Sequence, residues 1–526
     1  MPEQKEKLIF LVKKLILKRI GSFADLAKEK QKICSELKMP LPRNSDILET
    51  YQKLKKEKKA RINEFLEKKL KKRPIRSLSG VAVVAVLTKP WPCPGRCLYC
   101  PLEKGIPKSY LSGEPAVERA KALDFNPFLQ VKRRIEMLEK GGHPADKIEL
   151  IVIGGTWSFL PKKYQTWFIK RCFDAANNLT CKNLSQAQKI NEKAKHRIIG
   201  LTLETRPDYI DLKEILRMRK LGCTRVEMGV QITDNRILKQ NKRGHTIKEI
   251  IQATKILKNT GFKICYHLMP NLPGSLPQND FKMFKNIFNN PDFQPDMIKI
   301  YPCVVTKGSK LYSLWKKGKY QPYTEKQLIN LLIKMKSIIP PYVRVNRLIR
   351  DIPAWQIQGG SKISNLRELV QKKMKKQNLF CQCIRCREMK DLKFKIAKAQ
   401  LIRREYDTSE GKEIFFSFEN REKNKLAAFL RLRLPDHPIK IRSLQGLRDA
   451  AIIRELHTYG QSVEVGKKNK TAVQHSGFGK KLMEQAEKIA REKGYKKIAV
   501  ISGIGVREYY RHLGYHLQNT YMVKSL

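Results

Sequence analysis

Short, β-branched segments recur between residues 81 and 302, and they alternate with longer stretches whose apolar residues follow helical spacing. The segments occupy 81–87, 148–153, 198–203, 225–230, 263–268 and 297–302. Strands that alternate with helices predict βα units and a parallel sheet, because parallel neighbours need a crossover connection. We therefore expect an α/β fold in which this sheet closes into a full or partial (βα) barrel.

Polar and glycine residues mark the carboxyl ends of these segments. They are Gly154, Gly155, Thr156, Glu204, Thr205, Arg206, Gln231, His267 and Tyr301. In (βα) barrels, functional groups gather at the carboxyl ends of the strands. We therefore expect these side chains to form a ligand-binding rim.

At 526 residues the chain is too long for one ordinary core, so we expect several domains. Changes in residue composition and in the hydrophobic pattern divide it into four parts. These are a basic helical segment at 1–76, a barrel domain at 77–375, a linker at 376–394 and a C-terminal α/β domain at 395–526. Strand-like runs in the last domain cover 413–418, 426–434 and 497–502, with a helix at 480–493.

The chain carries 108 Lys and Arg against 49 Asp and Glu, a formal net charge of +59. Such an excess is costly in self-repulsion and favours a polyanionic partner, although a lysine-rich proteome is a second source of it. Residues 1–76 contain 23 basic and 10 acidic residues, a pattern typical either of an RNA-contacting segment or of solvated helix faces. Nucleic acid is favoured over membrane, because no segment approaches the ~20 apolar residues of a membrane span.

Residues 8–20 are apolar but are interrupted by lysines, and their spacing predicts an amphipathic helix rather than a signal peptide. We therefore expect a cytoplasmic protein whose 12 cysteines stay reduced. Clustered cysteines in that compartment indicate a metal before a disulfide. The oligomeric state is open, with a homodimer as one alternative.

Cys93, Cys97 and Cys100 form a CxxxCxxC motif in a Pro-rich loop after the first strand. Three thiolates can bind three irons of a [4Fe–4S] cluster and leave the fourth iron without a protein ligand. That open iron can chelate S-adenosylmethionine, whose reductive cleavage makes a 5′-deoxyadenosyl radical. The alternative is a structural zinc loop with a distant fourth ligand.

With the aromatic Tyr99 before its third cysteine, the motif resembles the signature of the radical-SAM superfamily, CxxxCxΦC with Φ aromatic. In that family a Gly-Gly-Glu turn after the second strand binds the methionyl amine. Residues 151–158 resemble that turn, with Thr156 in place of the acid.

A second motif, CxCxxC, comprises Cys381, Cys383 and Cys386. Three thiolates within six residues suit a tetrahedral zinc ion, which needs a fourth ligand that the sequence does not identify. Because the motif lies between two larger domains, we interpret it as a zinc clip between them. A second iron–sulfur cluster and unligated thiols are the alternatives.

Gln474, Gly477 and Gly479 form a QxxGxG turn that opens the helix at 480–493. Glycines let the backbone approach a ligand, and the first N–H groups of a helix can bind a pyrophosphate. With strand-like 454–456 before it and Tyr509 beyond the next strand, the turn resembles the GNAT acetyltransferase fold, in which QxxGxG binds acetyl-CoA. Core packing is the alternative role for the tyrosine.

A radical-SAM domain joined to a GNAT domain resembles the Elongator catalytic subunit family in its single-chain archaeal or bacterial form. The segments that carry the resemblance are 202–209, 229–246, 269–275, 298–320, 345–354, 365–370, 381–388, 454–460, 474–491 and 498–515. The resemblance implies that an acetyl-derived group from acetyl-CoA is transferred to carbon 5 of the wobble uridine of tRNA by radical chemistry, giving 5-carboxymethyluridine or a derivative. It also implies an electron donor, which the sequence does not identify.

The resemblance assigns roles to residues at matching positions. Cys93, Cys97 and Cys100 become cluster ligands, and Gly154, Gly155, Thr156, Glu204 and Gln231 become candidates around S-adenosylmethionine. Lys147 matches a lysine that contacts acetyl-CoA, and Glu455, Leu456, His457 and Thr458 match the strand along the pantetheine arm. Gln474, Gly477, Phe478 and Gly479 match the pyrophosphate turn, and Tyr509 matches a tyrosine near the thioester. The implied catalytic residues are Lys147 and Tyr509.

Two further functions stay open from the residues alone. One is a protein lysine acetyltransferase whose iron–sulfur domain is structural. The other is a non-catalytic tRNA-binding scaffold.

Overall fold

A computed structural model describes residues 2–18, 20–71, 80–389, 398–436, 442–460 and 477–526. The chain begins with helices α1 (Pro2–Leu17), α2 (Phe23–Glu36), α3 (Asn44–Lys56) and α4 (Glu64–Leu70). Their apolar faces form a small core of their own that includes Val12, Ile47 and Tyr51. The basic residues lie mainly on the opposite, exposed faces. Across the described ranges, no helix is both long and apolar enough to cross a membrane.

The next unit is the predicted βα sheet. Its strands are β1 (Ala82–Leu87), β2 (Lys147–Ile153), β3 (Arg197–Thr205), β4 (Arg225–Gln231), β5 (Lys263–Leu268), β6 (Met297–Ile300) and β8 (Arg344–Arg347), with a small ribbon formed by β7 (Val305–Thr306) and β9 (Ile357–Gly359). All sheet neighbours pair in parallel and in chain order. Within the described residues β8 does not pair with β1, so the barrel is partial.

Helices cover the outer face of this sheet. They are α5 (Pro115–Lys121), α6 (Pro127–Lys140), α7 (Lys162–Asn177), α8 (Leu184–Asn191), α9 (Leu212–Leu221), α10 (Asn235–Gln240), α11 (Ile247–Asn259), α12 (Pro277–Asn289), α13 (Lys310–Lys316), α14 (Glu325–Ser337) and α15 (Leu366–Lys376). Such crossovers bury the outward side chains of the strands, while the inward side chains face the lumen of the barrel.

The C-terminal domain contains the second sheet. Its elements are α16 (Ile384–Arg387), β10 (Gln400–Asp407), β11 (Gly411–Asn420), β12 (Lys425–Pro435), β13 (Ala450–Thr458), α17 (Phe478–Glu492), β14 (Lys497–Val500), α18 (Arg507–Arg511), β15 (His516–Gln518) and β16 (Tyr521–Ser525). The sheet is antiparallel except for β13 and β14, which pair in parallel only from Ala450 to Ile453. Beyond Ile453 the two strands separate, and the amino end of α17 lies beside the gap.

The C-terminal sheet packs against the amino ends of the barrel strands. Arg454 of β13 is buried and contacts Asp296, which precedes β6, with an N–O distance of 2.6 Å. Gly503 lies against β3 so closely that a Cβ there would stand 2.0 Å from the Ile199 carbonyl oxygen. Tyr406 of β10 stacks on Tyr342 at a centroid distance of 4.0 Å. The two domains therefore form one continuous packed body.

Lys258 of α11 is buried beside this interface, and its ammonium has no hydrogen-bond partner among the described residues. Burial lowers the pKa of Lys258 to about 7, from a usual value of 10.5. Below pH 7 the folded protein must hold this charge in a buried site, where desolvation outweighs the attraction of the Glu413 and Asp296 carboxylates, and this costs stability. Between pH 7 and 10.5 the unfolded chain binds more protons than the folded one, so this lysine makes stability rise with pH.

Lys258→Met should therefore stabilise the protein by roughly 1–3 kcal/mol at neutral pH, because it removes a buried ammonium that makes no hydrogen bond to the described residues. The gain should shrink as the pH rises towards 10.5. Denaturant unfolding at several pH values measures both effects. Lys255→Met is the matched control on the same helix: its ammonium reaches the exposed Glu410 carboxylate at the surface, so only a small change is expected. A loss of stability in Lys258→Met would contradict the interpretation.

Candidate functional site

The cysteine loop follows β1 at the carboxyl end of the barrel. Gly95 lies between two of its thiols: a Cβ at Gly95 would stand 3.5 Å from the sulfur of Cys97 and 3.7 Å from that of Cys93. The Cys93 sulfur also lies 3.9 Å from the Thr156 hydroxyl, in the turn after β2. The third thiol, Cys100, lines the same cavity. Three soft donors on one short loop fit an iron–sulfur cluster.

Arg243, which precedes α11, is buried beside this loop with its guanidinium 3.4 Å from the Cys97 sulfur. The hydrogen bond from Cys100 and the Arg243 charge lower the pKa of Cys97 to about 4, against the opposing effect of burial. The thiolate is the form that binds metal. The sequence analysis missed Arg243, because in the run Asn-Lys-Arg-Gly-His it looks like part of a solvated basic turn.

The Gly-Gly-Thr turn adopts backbone angles that favour glycine, with φ of 134° at Gly154 and 101° at Gly155. A Cβ at Gly154 would stand 2.1 Å from the Thr88 hydroxyl, so that position has no room for a side chain. Gln231 ends β4 with φ of 69°, a strained conformation for a non-glycine residue. Its side-chain oxygen is buried without a partner in the described part of the chain. An unsatisfied acceptor and a tight glycine turn at the cavity wall fit a polar ligand.

Glu204 is the last residue but one of β3, and its carboxylate accepts a hydrogen bond of 2.9 Å from the Tyr110 hydroxyl. Burial and the Glu204 charge raise the pKa of Tyr110 well above its usual value, so the phenol stays a donor. His267 of β5 lies 3.8 Å from Glu204 on one side and 3.0 Å from Glu227 on the other. These contacts connect the polar side chains of the rim with the charged side chains of the lumen.

The lumen itself is lined by charged side chains from the middle and the amino ends of the strands. Glu227 of β4 pairs with Lys299 of β6, and Arg225 pairs with Glu149 of β2. Although burial alone would raise it, the Lys299 and His267 charges hold the pKa of Glu227 well below its usual value. The lumen is therefore a polar channel of paired charges rather than a filled apolar core.

The amino end of the barrel meets the gap between β13 and β14. Gly477 is the N-cap residue of α17, with φ of 76°, and as a glycine it brings no side-chain cap to the first N–H groups of that helix. A Cβ at Gly479 would stand 2.9 Å from the Tyr509 hydroxyl, so both glycines keep this helix end open. Burial raises the pKa of Tyr509 to about 12, which keeps it protonated at neutral pH. A free helix amino end is a site for a phosphate group.

Lys147 opens β2 at the same end of the barrel. Burial and the neighbouring Arg197 lower the pKa of Lys147. With a rise of about 3.3 Å per residue, β2 places Lys147 roughly 20 Å from Ile153, at the opposite end of the strand. A single cavity of about 1730 Å³ spans this length and is lined at one end by the cysteine loop and at the other by the α17 turn.

The structure brings most of the predicted site residues to this cavity. Those that line it are Cys93, Cys97, Cys100, Lys147, Gly155, Thr156, Glu204, Gln231, Glu455, Leu456, His457, Thr458, Gly477, Gly479 and Tyr509. Gly154 does not line the cavity, but it lies in the same turn, packed against Thr88. The Phe478 ring is buried and stacks on Phe418 at 4.4 Å, so only its backbone can serve a ligand. Gln474 lies outside the described residues.

The second cysteine motif lies between β8 and β12, and its three cysteines do not line the large cavity, although Arg385 does. The sulfurs of Cys381, Cys383 and Cys386 all lie within 4.8 Å of one another. Among the described residues, no further His, Cys, Asp or Glu joins them in that group. Lys336 and Gln371 approach the Cys386 sulfur at 3.8 and 3.5 Å. Three converging thiols fit a single ion with thiolate ligands.

Comparisons with known families divide the chain in the same way as the structure. The model of the Radical SAM superfamily matches residues 93–280, that of the Radical_SAM C-terminal domain matches 295–376, and that of the Acetyltransferase (GNAT) family matches 385–515. The radical-SAM family implies a [4Fe–4S] cluster with S-adenosylmethionine, and the GNAT family implies acetyl-CoA.

Similar proteins match along nearly the whole chain. The tRNA uridine(34) acetyltransferase of Methanocaldococcus jannaschii is 50% identical over 92% of this chain and 90% of its own length. The human Elongator complex protein 3 is 40% identical over 96% of this chain and 94% of its own length. A solved structure of Methanocaldococcus infernus Elp3 with an N-terminal deletion superimposes with a TM-score of 0.75 at 48% identity, covering 85% of this chain and 100% of that one.

Proposed function

Because the chain belongs to the family of the tRNA uridine(34) acetyltransferases and Elongator complex protein 3, we propose that it modifies carbon 5 of the wobble uridine of tRNA. Its co-substrates are acetyl-CoA and S-adenosylmethionine, and its product is 5-carboxymethyluridine or a derivative. The observation that carries the proposal is the single cavity that joins the cysteine loop to the α17 turn. One continuous space lets an acetyl group bound at one end meet a radical formed at the other.

The bound groups supply the difficult chemistry: reduction of the cluster cleaves S-adenosylmethionine to a carbon radical that can abstract hydrogen, and acetyl-CoA supplies the carbon unit. In this proposal Cys93, Cys97 and Cys100 hold the cluster, with Arg243 stabilising the thiolate of Cys97. The Gly-Gly-Thr turn, Glu204 and Gln231 orient S-adenosylmethionine at the rim.

At the other end, the backbone of Gly477, Phe478 and Gly479 binds the pyrophosphate of acetyl-CoA, and residues 455–458 of β13 lie along its pantetheine arm. Lys147 and Tyr509 flank the thioester as donors. The protonated phenol of Tyr509 and the half-buried Lys147 can each donate to the carbonyl oxygen and polarise it. The charged lumen between the two ends offers polar partners to a small carboxylate or thioester.

We also propose the division into 1–76, 77–375, 376–394 and 395–526, with the first segment contacting tRNA phosphates through its exposed basic faces. A soluble one-electron donor must reach the cluster. We also propose a cytoplasmic location, which a tRNA substrate and the free cysteines support. A homodimer stays a prediction.

For the second cysteine motif we propose structural zinc, held by Cys381, Cys383 and Cys386. The motif connects the barrel to the C-terminal sheet: the Ile384 N–H donates to the Val343 carbonyl, and the Met389 N–H donates to the Leu426 carbonyl. Metal analysis should find about one zinc per chain, and Cys383→Ala should lose it. Iron at this position in place of zinc would favour a second cluster.

The function is tested with protein reconstituted anaerobically with iron and sulfide. The reduced protein receives S-adenosylmethionine, acetyl-CoA and unmodified tRNA, and the digested tRNA is analysed by mass spectrometry. Carboxymethyluridine from the wild type but not from Cys100→Ser is the expected result. Deoxyadenosine without modified tRNA would contradict the substrate. Acetyl transfer to basic peptides without either product would favour a protein acetyltransferase.

Replacing Gly479 by valine is expected to weaken acetyl-CoA binding by about tenfold or more. This is the change in affinity expected when one hydrogen bond to a charged group is lost. The new side chain would cover the open end of α17 and collide with the Tyr509 hydroxyl. Calorimetric titration measures the change, with Glu484→Val, an exposed position farther along the same helix, as the control. Recovery of affinity in Gly479→Val combined with Tyr509→Phe would show that crowding of the tyrosine, rather than a covered helix end, is the cause.

A further inference from the structure

A second cavity, of about 510 Å³, opens on the outer rim of the barrel beside the cysteine loop. The residues that line this rim pocket are Lys89, Asp124, Phe125, Asn126, Lys163, Tyr164 and Trp167. None of these residues lines the large cavity. The walls come from the segment after β1, the turn before α6 and the first half of α7. The proposed chemistry leaves this pocket without a role.

Two aromatic rings form one wall of the rim pocket. The Trp167 side chain is 46% exposed, and its ring lies 5.6 Å from that of Tyr164 with a tilt of 33°. The Tyr164 hydroxyl accepts a hydrogen bond of 3.1 Å from the Lys89 backbone N–H, which fixes the ring. Trp91 packs edge-on against Tyr164 from behind at 5.5 Å. The indole of Trp167 is therefore an exposed ring on a fixed aromatic support.

The charge around these rings is mainly positive. The Lys89 ammonium lies 4.8 Å from the Trp91 ring centroid and 5.4 Å from that of Tyr164. Lys163 is exposed on the same rim, with Asp124 as the acidic member of the lining. Exposed aromatic rings interleaved with lysines are typical of surfaces that bind single-stranded nucleic acid, where rings stack on bases and cations contact phosphates.

The rim pocket is close to the cysteine loop along the chain. Lys89 precedes Cys93 by four residues, which span at most ~14 Å. Lys89 and Cys93 both follow the carboxyl end of β1, and α7, which carries Tyr164 and Trp167, follows the carboxyl end of β2. A nucleotide that enters at this end of the barrel meets the cysteine loop first. A strand of RNA that delivers one base to the large cavity therefore passes within reach of the rim pocket with a neighbouring base.

We propose that the rim pocket holds one unstacked base of the tRNA anticodon loop, next to the uridine that enters the large cavity. The inference rests on the proposed function and names a second contact of the same substrate. The base stacks on Trp167, and Lys89 and Lys163 contact the flanking phosphates. Holding a neighbour outside the stack turns the target base towards the large cavity, because adjacent nucleotides share one backbone.

The test is a binding cycle between protein variants and RNA variants. The RNAs are unmodified anticodon stem-loops, one intact and others with an abasic nucleotide at single positions flanking the target uridine. Trp167→Ala should bind the intact loop about 5- to 100-fold more weakly, and Trp167→Phe should keep most of the affinity. Leu517→Ala, which removes a similarly exposed apolar side chain far from the cavities, should bind like wild type.

One abasic position should weaken binding to the wild type and have little further effect on Trp167→Ala, because each change removes the same stacking contact. Equal weakening of Trp167→Ala on every RNA, or no weakening at all, would overturn the proposal and leave the pocket to another partner such as a protein. Failure of the proposed function is seen separately, as the absence of modified uridine in wild-type reactions, whereas this cycle measures binding alone.

Discussion

Cys97→Ser should abolish formation of deoxyadenosine and of modified tRNA, because it removes one of the three thiolates that we propose hold the cluster. The buried Cys97 sulfur lies 3.4 Å from Arg243, so serine would also leave that guanidinium without its thiolate partner. Acetyl-CoA binding should be retained, because its proposed site lies at the other end of the barrel, roughly 20 Å away along β2. Iron content, deoxyadenosine and acetyl-CoA titration measure the three quantities on one preparation.

Cys172→Ala is the matched control for this variant. Cys172 is also buried, but it lies on the outer helix α7 and does not line the cavity. It should keep a full complement of iron and normal deoxyadenosine formation. Radical activity that survives in reconstituted Cys97→Ser would remove this cysteine from the cluster ligands.

Asp296→Ala should cost about 3–5 kcal/mol of unfolding free energy, the usual penalty for removing one partner of a buried ion pair. The carboxylate accepts hydrogen bonds from both terminal nitrogens of Arg454, at 2.9 and 2.6 Å, and from the Ile264 backbone N–H. Arg431 approaches it at 3.7 Å. Loss of the Asp296 carboxylate would leave the buried positive charges of Arg454 and Arg431 only partly balanced at the interface between the domains.

The pH dependence of this loss has a definite sign. Although burial alone would raise it, Arg454 and Arg431 hold the pKa of Asp296 below its usual value of 3.8. The carboxylate therefore contributes its full stability above that value and loses it only as the pH falls further. Because the Asp296 charge also raises the pKa of Lys258, which lies at about 7, the difference between wild type and Asp296→Ala should become constant only above neutral pH in denaturant unfolding.

Asp407→Ala is the control for this variant. Asp407 lies in an exposed pair, 3.8 Å from Lys412, and its removal should cost less than about 1 kcal/mol. A similar cost at both positions would mean that Asp296 is not the centre of the interface.

The strands rich in apolar residues could be predicted from the sequence, whereas strands with mainly polar side chains could not. All six predicted barrel strands are confirmed among the described residues, because each combines β-branched residues with turn signals. Strand β8, Arg344–Arg347, was missed, because its alternating polar side chains resemble a loop. Strand β10 was missed for a similar reason, since much of it faces solvent.

The site was predictable where one short motif supplies all the chemistry. The cysteine loop and the two glycine turns are such motifs, and the structure places them on one cavity. Glu149, Arg225 and Glu227 look like the solvent-facing positions of alternating strands, yet they face a shared lumen and neutralise one another there. Partners that lie dozens of residues apart in the sequence cannot be paired by local spacing. Lys147 entered the prediction only through the family resemblance.

The interface between the barrel and the C-terminal sheet has a practical consequence for dissecting the chain. A fragment beginning at residue 398 would carry Arg433 without Asn259, whose amide oxygen lies 2.6 Å away, and Arg454 without Asp296. The barrel alone would expose the β3 backbone that Gly503 covers. Loss of acetyltransferase activity in such a fragment would therefore reflect a damaged scaffold and would not show whether the intact enzyme can carry out that step alone. Point variants in the full-length chain, rather than truncations, are the sound way to separate its two activities.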